Sequence, residues 1–259
     1  WFVGCKLNAS VNCLDRHVKT WRKNKAALIW VGENDQERIF TYGELFRQVN
    51  RCANALKRLD LIKGDRVTIY LPKIPEQVVA MLACARLGLI HSVVYSGFSA
   101  PALANRINDA EARLVITADV GFDRSKVIGL KPIVDDALKN CPSVEHVVVV
   151  RRQTSGAPMI APKEIDWKEW MKNEKAVCEA EPLDSESPLY ILYTSGTTGK
   201  PKGVLHVHGG YMVGTYTTTK YVFDVKDDDV YFCVADPGWV TGTSYGIISP
   251  LANGVTMIV

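Results

Sequence analysis

The chain has 259 residues, of which 47% are hydrophobic and 23% charged, with a formal net charge of +3. This length and composition are sufficient to bury a substantial core, as one large domain or two smaller ones. Because the 31 Lys and Arg residues are spread among 28 Asp and Glu residues without a basic cluster, nucleic acid is not an expected partner.

The cysteine pattern indicates the redox state of the cellular compartment in which the protein works. The seven cysteines are an odd number, lie far apart and never form a Cys-x-x-Cys pair, so they indicate neither a disulfide framework nor a zinc knuckle. A reducing compartment suits this pattern, and we expect a cytoplasmic protein. The most apolar window, Val78–Ala85, is far too short to span a bilayer and follows no secretory signal, so we expect no membrane partner.

The first clear elements alternate between helix and strand. Thr41-Tyr42-Gly43-Glu44 is a capping box followed by apolar residues at helical spacing, which predicts a helix over Tyr42–Leu59. The apolar run Val67–Leu71 predicts a buried strand. A second helix is predicted over Pro75–Leu87, with Gly88 as its C-terminal residue.

This unit repeats along the next part of the chain. Further strands are predicted at Ile90–Tyr95, Leu114–Thr117 and Val147–Val150, and further helices after Ser99 and over Ile133–Asn140. Continuously apolar strands separated by helices indicate an α/β fold in which βα repeats build largely parallel sheets covered by helices.

Residues 151–187 form a predicted boundary. Apolar density falls and prolines are frequent, so we predict a long irregular connection with a short helix, in which Trp167 and Trp170 dock. The alternation then resumes with predicted strands at Leu189–Tyr193, Val230–Val234 and Val255–Val259 and predicted helices over Gly209–Tyr221 and Ser244–Ala252.

The most informative stretch follows the strand Leu189–Tyr193 and reads Thr194-Ser195-Gly196-Thr197-Thr198-Gly199-Lys200-Pro201-Lys202-Gly203. Glycines let backbone N–H groups turn toward an anion, while hydroxyls and lysines add donors and positive charge. The composition therefore predicts a cradle for the phosphates of a nucleoside triphosphate.

Two alternatives compete with a triphosphate cradle. The P-loop of kinases and GTPases needs a longer spacer before its Gly-Lys pair, and Pro201 stands where its magnesium-binding hydroxyl would be. A Gly/Ser-rich linker rarely carries two lysines between two apolar runs.

The stretch matches the phosphate loop of the adenylate-forming, or acyl-adenylate synthetase, superfamily. The chain further resembles its AMP-forming acetyl-CoA synthetase branch, over essentially its whole length, through Asn12-Cys13-Leu14-Asp15-Arg16-His17, Gly97-Phe98-Ser99, Ile116-Thr117-Ala118-Asp119 and Gly238-Trp239-Val240-Thr241-Gly242. The resemblance implies that residues 1–259 are an incomplete large N-terminal, ATP- and acyl-binding domain. It also implies a subdivision near 151–187 and the absence of the small C-terminal domain that holds the catalytic lysine.

The resemblance implies an acetate–CoA ligase (AMP-forming) in the full-length parent and an inactive isolated chain. Its substrates would be ATP, acetate or another short-chain carboxylate, and coenzyme A; the sequence leaves the acid and the oligomeric state open. Mg²⁺ would be held largely by phosphate oxygens, since its usual glutamate ligand lies beyond Val259. The implied phosphate-binding residues are Thr194, Ser195, Gly196, Thr197, Thr198, Gly199, Lys200 and Lys202.

The same resemblance assigns the other substrate sites. Trp239, Val240 and Thr241 match the segment that lines the acyl pocket, although Thr243 stands where acetate-activating enzymes usually carry histidine. The coenzyme A contacts are expected from Tyr95, Ser96, Gly97, Arg124 and Lys126. Here Ser96 replaces a usual glycine and Asp123 a usual arginine, so Arg124 or Lys126 would take over its role.

His206 and His208 have strand spacing, but no third metal ligand is near them in the sequence, so a strand-end position is favoured over a metal site. Three other functions stay open. They are an adenylation domain that loads another carboxylate onto a carrier thiol, a nucleotide-binding fragment without catalysis, and a kinase-type phosphotransferase, which the loop spacing disfavours.

Overall fold

The computed structural model describes residues 4–33, 36–123, 126–153, 163–194 and 201–259. Within these ranges the strands are β1 (Lys6–Leu7), β2 (Ala26–Val31), β3 (Glu37–Thr41), β4 (Arg66–Tyr70), β5 (Ile90–Val93), β6 (Leu114–Ala118), β7 (Val120–Asp123), β8 (Lys126–Gly129), β9 (His146–Val150), β10 (Glu164–Asp166), β11 (Leu183–Asp184), β12 (Pro188–Thr194), β13 (Lys202–Val207), β14 (Val230–Phe232) and β15 (Thr256–Ile258).

The α-helices in the same ranges are α1 (Arg16–Val18), α2 (Tyr42–Lys57), α3 (Pro75–Leu87), α4 (Ala100–Ala110), α5 (Leu130–Leu138), α6 (Trp167–Met171), α7 (His208–Tyr221) and α8 (Ser249–Asn253). Two π-helical segments, Val11–Asp15 and Gly242–Ile248, and a 3-10 helix at Trp21–Asn24 complete the regular structure.

A seven-stranded sheet organises the molecule. Its order is β10-β9-β6-β4-β5-β12-β13, and every neighbouring pair is parallel except β12 and β13. Strand β6 is buried at all of its positions, so both faces of the sheet are covered there. The predicted α/β class with largely parallel, helix-covered sheets is confirmed.

Local signals account for the helices that the sequence predicts best. In α2 the Thr41 hydroxyl accepts from the Glu44 N–H at 3.1 Å, and the Glu44 carboxylate accepts from the Thr41 N–H at 2.8 Å. Helix α3 begins at Pro75 and ends at Gly88, whose φ of 70° is the left-handed conformation that glycine adopts without strain.

Strand β13 is antiparallel to β12, so the two strands form a hairpin at the edge of the sheet. Two features differ from the sequence prediction. The four-stranded sheet β14-β15-β2-β3 contains two strands, β2 and β3, that the sequence analysis did not predict. Residues 242–248 are π-helical before α8 begins, and Ile248 accepts from the Cys13 thiol of the first π-helical segment at 3.5 Å.

The segment 151–187 contains the predicted short helix, α6. Trp167 and Trp170 are buried and pack edge to face, with ring centroids 5.7 Å apart. The seven-stranded sheet takes strands from both sides of this segment, and the subdivision near 151–187 stays a prediction. Across the described ranges, every helix falls short of the length and apolarity that crossing a bilayer would require.

Candidate active site

The carboxyl ends of two neighbouring strands bring Thr194, where the predicted phosphate loop begins, to the same sheet edge as residues 95–98, the predicted coenzyme A segment. Strands β5 and β12 are parallel, with His91 opposite Tyr190. Thr194 and Tyr95 lie equally far along the chain beyond that pair, so both segments leave the sheet at the same edge. Ligand sites of open α/β sheets form at this edge.

The hairpin that carries the loop has Thr194 directly opposite Lys202. Both residues are exposed, and we call this pair the base of the hairpin. The remaining predicted phosphate ligands, Ser195, Gly196, Thr197, Thr198, Gly199 and Lys200, lie outside the described residues. Their role stays a prediction.

Arg106 of α4 connects the base of this hairpin to the coenzyme A segment. Its guanidinium carbon lies 4.4 Å from the ring centroid of Phe98 and 5.6 Å from that of Tyr193. The Tyr193 hydroxyl donates to the Asp109 carboxylate at 2.7 Å. Burial, together with this hydrogen bond, raises the pKa of Tyr193 above its usual value, so the phenol remains a donor.

Tyr70, at the end of β4, holds the backbone of the coenzyme A segment. Its hydroxyl lies 2.8 Å from the Ser96 carbonyl and 2.7 Å from the Phe98 carbonyl, and it shares one proton between them. Burial raises the pKa of Tyr70 to about 12. At Gly97 a Cβ atom would lie 2.4 Å from the Tyr95 ring, so a larger residue there would require this exposed ring to move.

The predicted acyl-pocket segment packs against the same turn. The rings of Trp239 and Phe98 meet edge to face with centroids 6.4 Å apart. Gly238 approaches the Tyr95 backbone so closely that a Cβ atom would lie 2.8 Å from the Tyr95 nitrogen. Trp239 and Val240 are 48% and 52% exposed and Thr241 is also exposed, which places all three side chains on a surface loop beside the coenzyme A segment.

Internal contacts join the turn at Asp236–Gly238 to Thr243 at the start of the second π-helical segment. The Asp236 carboxylate accepts from the Gly238 N–H at 2.7 Å, and burial raises the pKa of this carboxyl. The Thr243 hydroxyl is buried and donates to the Pro237 carbonyl at 2.5 Å. Thr243 therefore stabilises the loop from within.

The main cavity, as we call it, has a volume of about 710 Å³ and lies against these segments. Its walls include residues 95–97, the loop residues 235–237, Phe122 and Asp123 of β7, and Trp30 of the four-stranded sheet. The volume falls in the range of small-molecule sites. Lys73, another wall residue, donates to the Val234 carbonyl at 2.6 Å, which ties the start of α3 to the segment after β14.

The hairpin β7–β8 contains the other predicted coenzyme A residues. Lys126 is exposed and lies opposite Asp123, which lines the main cavity, so a carboxylate accompanies the expected cation. Arg124 lies outside the described residues. The part of both residues in binding a coenzyme phosphate stays a prediction.

His206 and His208 have packing roles in the structure. The His206 ring stacks on Tyr190 with centroids 4.4 Å apart, and the His208 Nδ1 accepts from the Ala9 N–H at 3.1 Å. Burial lowers the pKa of both histidines, that of His208 to about 4. In the described part of the chain, no three His, Cys, Asp or Glu side chains are grouped as a metal site.

Four residues of the site were missed by the sequence analysis. Tyr70 ends a predicted parallel strand, Arg106 follows Leu103 by three positions on a helix, and Asp236 precedes a Pro-Gly turn. These three residues could have been recognised as candidate site residues, because each is a polar side chain at a strand end, on a buried helix face or at a turn. Lys73 carried no distinguishing signal.

Comparisons with known proteins identify the family to which the chain belongs. The AMP-binding enzyme family matches residues 14–259. The acetyl-coenzyme A synthetase of Gemmatimonas aurantiaca is 54% identical over 264 residues, covering all of this chain and 40% of the relative. That of Wolinella succinogenes is 54% identical over 261 residues with the same coverage.

A solved structure shows the same fold. The crystal structure of the Brucella canis acyl-CoA synthetase superposes with a TM-score of 0.83 at 24% sequence identity, over 98% of this chain and 43% of that one. The chain thus spans about 40% of the length of the curated relatives that it matches. The chain belongs to the AMP-binding enzyme family.

Proposed function

We propose that this chain is part of a longer acyl-CoA synthetase that activates acetate or another short-chain carboxylate with ATP and then transfers the acyl group to coenzyme A. The observation that carries this proposal is the convergence of three segments at one sheet edge. The hairpin base at Thr194 and Lys202, the turn at residues 95–98 and the loop at 236–243 are joined through Arg106, Phe98 and Trp239.

In the first step a carboxylate oxygen attacks the α-phosphorus of ATP, the bond to the pyrophosphate oxygen breaks, and acyl-AMP forms. The role of the hairpin is to hold the β- and γ-phosphates. Thr194, Lys202 and the loop between them supply hydroxyl, amide and ammonium donors that stabilise negative charge on the departing pyrophosphate. Mg²⁺, bound mainly by the phosphates, would neutralise further charge.

The acyl group needs a small pocket beside the α-phosphate. Trp239 supports such a pocket because the close approach of Gly238 to Tyr95 sets the position of the loop that bears the indole. The Thr243 hydroxyl donates to Pro237 inside that loop, so acid selectivity in this chain would depend on Trp239, Val240 and Thr241.

In the second step the coenzyme A thiol attacks the acyl carbon, the acyl–phosphate bond breaks, and AMP leaves. Tyr95, Ser96 and Gly97 line the main cavity next to the proposed acyl pocket, where they would guide the thiol. Arg124 and Lys126 would contact the coenzyme's phosphates at the β7–β8 hairpin. Their proximity to Asp123 predicts weaker phosphate binding than two unopposed cations would provide.

Pyrophosphate exchange by the longer protein that carries this chain tests the proposal. We expect labelled pyrophosphate to enter ATP only when acetate or propionate is present. Exchange that depends on amino acids would instead identify a carrier-loading adenylation domain, and ADP as the nucleotide product would identify a phosphotransferase.

A non-catalytic nucleotide-binding role is the second candidate for the isolated chain, because the chain covers only about 40% of its relatives. Titration calorimetry of this chain with ATP distinguishes the two. Binding without turnover would fit a nucleotide-binding part of the enzyme, whereas no heat of binding would leave the chain with a structural role alone.

A further inference from the structure

A second cavity, the basic cleft, adjoins the main cavity and has a volume of about 430 Å³. Trp30, Phe122 and Arg152 line both cavities and form their common wall. Six cationic side chains line the basic cleft, namely Arg38, Arg51, Arg151, Arg152, Lys168 and Lys172. Glu76 is the single carboxylate among its described lining residues.

Three of these cations have a carboxylate partner. The pairs are Arg38–Glu76 at 2.7 Å, Arg151–Asp166 at 3.2 Å and Lys172–Glu169 at 3.3 Å. Glu76, the carboxylate of the cleft itself, is therefore already engaged by one of the six cations.

The other three cations, Arg51, Arg152 and Lys168, form no ion pair with any residue that the structure describes. The Arg51 Nε atom is buried and lacks a hydrogen-bond partner there. The Arg152 guanidinium carbon lies 4.6 Å from the ring centroid of Phe122, which covers one of its faces. Burial lowers the pKa of Arg152, which reflects the cost of holding this cation away from water.

Asp119 is the acidic residue next to the Arg152 backbone, but its carboxylate forms no ion pair with the Arg152 guanidinium. The Asp119 carboxylate accepts from three backbone N–H groups, those of Val120, Arg152 and Gln153. Its hydrogen-bonding capacity is thus directed to the strand ends. Glu76, Asp119 and Glu33 act on the Arg152 guanidinium only through space, without an ion pair.

Partly buried cations that form no ion pair favour the binding of an anion. A concave site with two such arginines and the exposed Lys168 beside them favours a multiply charged anion over a monocarboxylate, and guanidinium groups match phosphate oxygens in pairs. We propose that the basic cleft is a phosphate-binding site, separate from the predicted phosphate loop, in which Arg51, Arg152 and Lys168 bind the phosphate groups of a small molecule.

This inference goes beyond the proposed function, because it adds a second phosphate site to the chain. The shared chemistry is a phosphate or diphosphate group. Its source is either inorganic or the phosphate end of a nucleotide, and the experiment uses pyrophosphate, ATP and adenosine 3′,5′-bisphosphate to separate these sources.

Titration calorimetry of the whole chain with pyrophosphate is the primary measurement. We expect Arg152→Gln and Arg51→Gln each to weaken binding about 10- to 100-fold, since each removes a charge-assisted contact. Lys168→Gln should weaken it less, because this lysine is exposed. Lys57→Gln, an exposed cation on the same helix as Arg51 but outside the cleft, is the matched control and should leave the affinity unchanged.

A separate variant tests whether the predicted phosphate loop, and not the basic cleft, accounts for the binding of pyrophosphate. The variant Thr197→Ala/Thr198→Ala/Lys200→Ala should retain the pyrophosphate binding that depends on Arg152. Failure of the proposed function would show in a different assay, as unimpaired pyrophosphate exchange by the longer protein that carries the same three substitutions. The inference is overturned if the loop variant abolishes all pyrophosphate binding, or if the cleft variants bind like the parent chain.

Folding of the variants is checked by circular dichroism and thermal unfolding. If the arginine variants do not fold, Lys168→Glu remains decisive, because its exposed side chain can reverse charge without entering the core. It should weaken binding more than Lys168→Gln does, and equal affinity of the two lysine variants would contradict the assignment. Tighter binding of ATP or adenosine 3′,5′-bisphosphate than of pyrophosphate would identify a nucleotide as the source, and the reverse order an inorganic phosphate.

Discussion

Helix α3 and strand β13 are both apolar in sequence, but the fold places them in opposite environments. Residues 78–85 of α3 are at most 4% exposed, whereas Val204 and Leu205 of β13 are 42% and 52% exposed. The first element lies within the parallel core, and the second forms the open edge of the seven-stranded sheet. The comparison indicates that stability resides in the core, to which the exposed edge strand β13, after the predicted phosphate loop, contributes little.

The largest expected effect on stability is at Arg86, near the end of α3. This residue is 3% exposed, binds both Asp15 oxygens at 2.8 and 2.9 Å, and donates to the Cys178 carbonyl. Arg86→Met leaves the Asp15 carboxylate unpaired and should lower the free energy of unfolding by about 3–5 kcal/mol, measured by urea denaturation. Lys139→Met, which breaks an exposed pair with Asp136, is the control and should cost under about 1 kcal/mol. Equal losses in the two variants would contradict the prediction.

The comparison between α3 and β13 can be tested with one substitution in each. Leu82 of α3 is fully buried, so Leu82→Ala should lower the free energy of unfolding by about 2–5 kcal/mol through lost transfer energy and an internal cavity. Leu205→Ala removes the same atoms from a half-exposed site and should cost about 1 kcal/mol or less. Urea denaturation of both variants measures the difference, and a Leu205 variant as unstable as the Leu82 variant would invalidate the contrast.

Substitutions in the predicted phosphate loop should have the opposite effect to those in the core, with a large loss of activity and little loss of stability. In the longer protein that carries this chain, Thr197→Ala/Thr198→Ala/Lys200→Ala should reduce acetate-dependent pyrophosphate exchange at least about 100-fold, because the donors for the leaving group are lost. The thermal unfolding midpoint should shift little. Undiminished exchange would remove the basis of the proposed function, and a large fall in the midpoint would place the loop in the folding core.

The last effect, which is absent near neutral pH, is a dependence of stability on pH that originates in β5. Burial lowers the pKa of His91 from its usual value of 6.5 to about 3, so between these values the unfolded chain binds more protons than the folded one. The free energy of unfolding should therefore fall as the pH decreases from 6.5 toward 3, by about 1.4 kcal/mol per pH unit for this histidine.

His91→Leu should remove that contribution and flatten the slope of stability against pH, measured by urea denaturation at a series of pH values. Burial also lowers the pKa of His17 to about 4, so adding His17→Leu should flatten the slope further. A His91→Leu slope equal to that of the parent chain would contradict the prediction.

Local chemistry was enough to predict much of the fold. The capping box at Thr41, Pro75 at the start of α3 and Gly88 at its end are signals that act within a few residues, and the corresponding helices lie where they were predicted. The start of α5 was predicted late, at Ile133, although the helix begins at Leu130. Pro132 is compatible with the first turn of a helix, where its missing N–H is not needed.

The candidate site also has a part that the local sequence predicts and a part that depends on the tertiary structure. The hydroxyl- and glycine-rich composition of residues 194–203 marks a phosphate loop from the sequence alone, since each residue type has its own chemical use there. The sequence could not reveal that Arg106 joins Tyr193 to Phe98, because Tyr193 lies far along the chain from the other two and meets them only in the folded structure.

Residue identity and short-range spacing thus established the fold class, the best helices and the family resemblance, because the interactions that produce them span a turn or a strand. The tertiary structure alone decided that β13 is an exposed antiparallel edge, that Thr243 bonds to Pro237, and that three cations without carboxylate partners among the described residues share one cleft. Those features depend on which distant surfaces meet, and pairing between distant segments has no local signal.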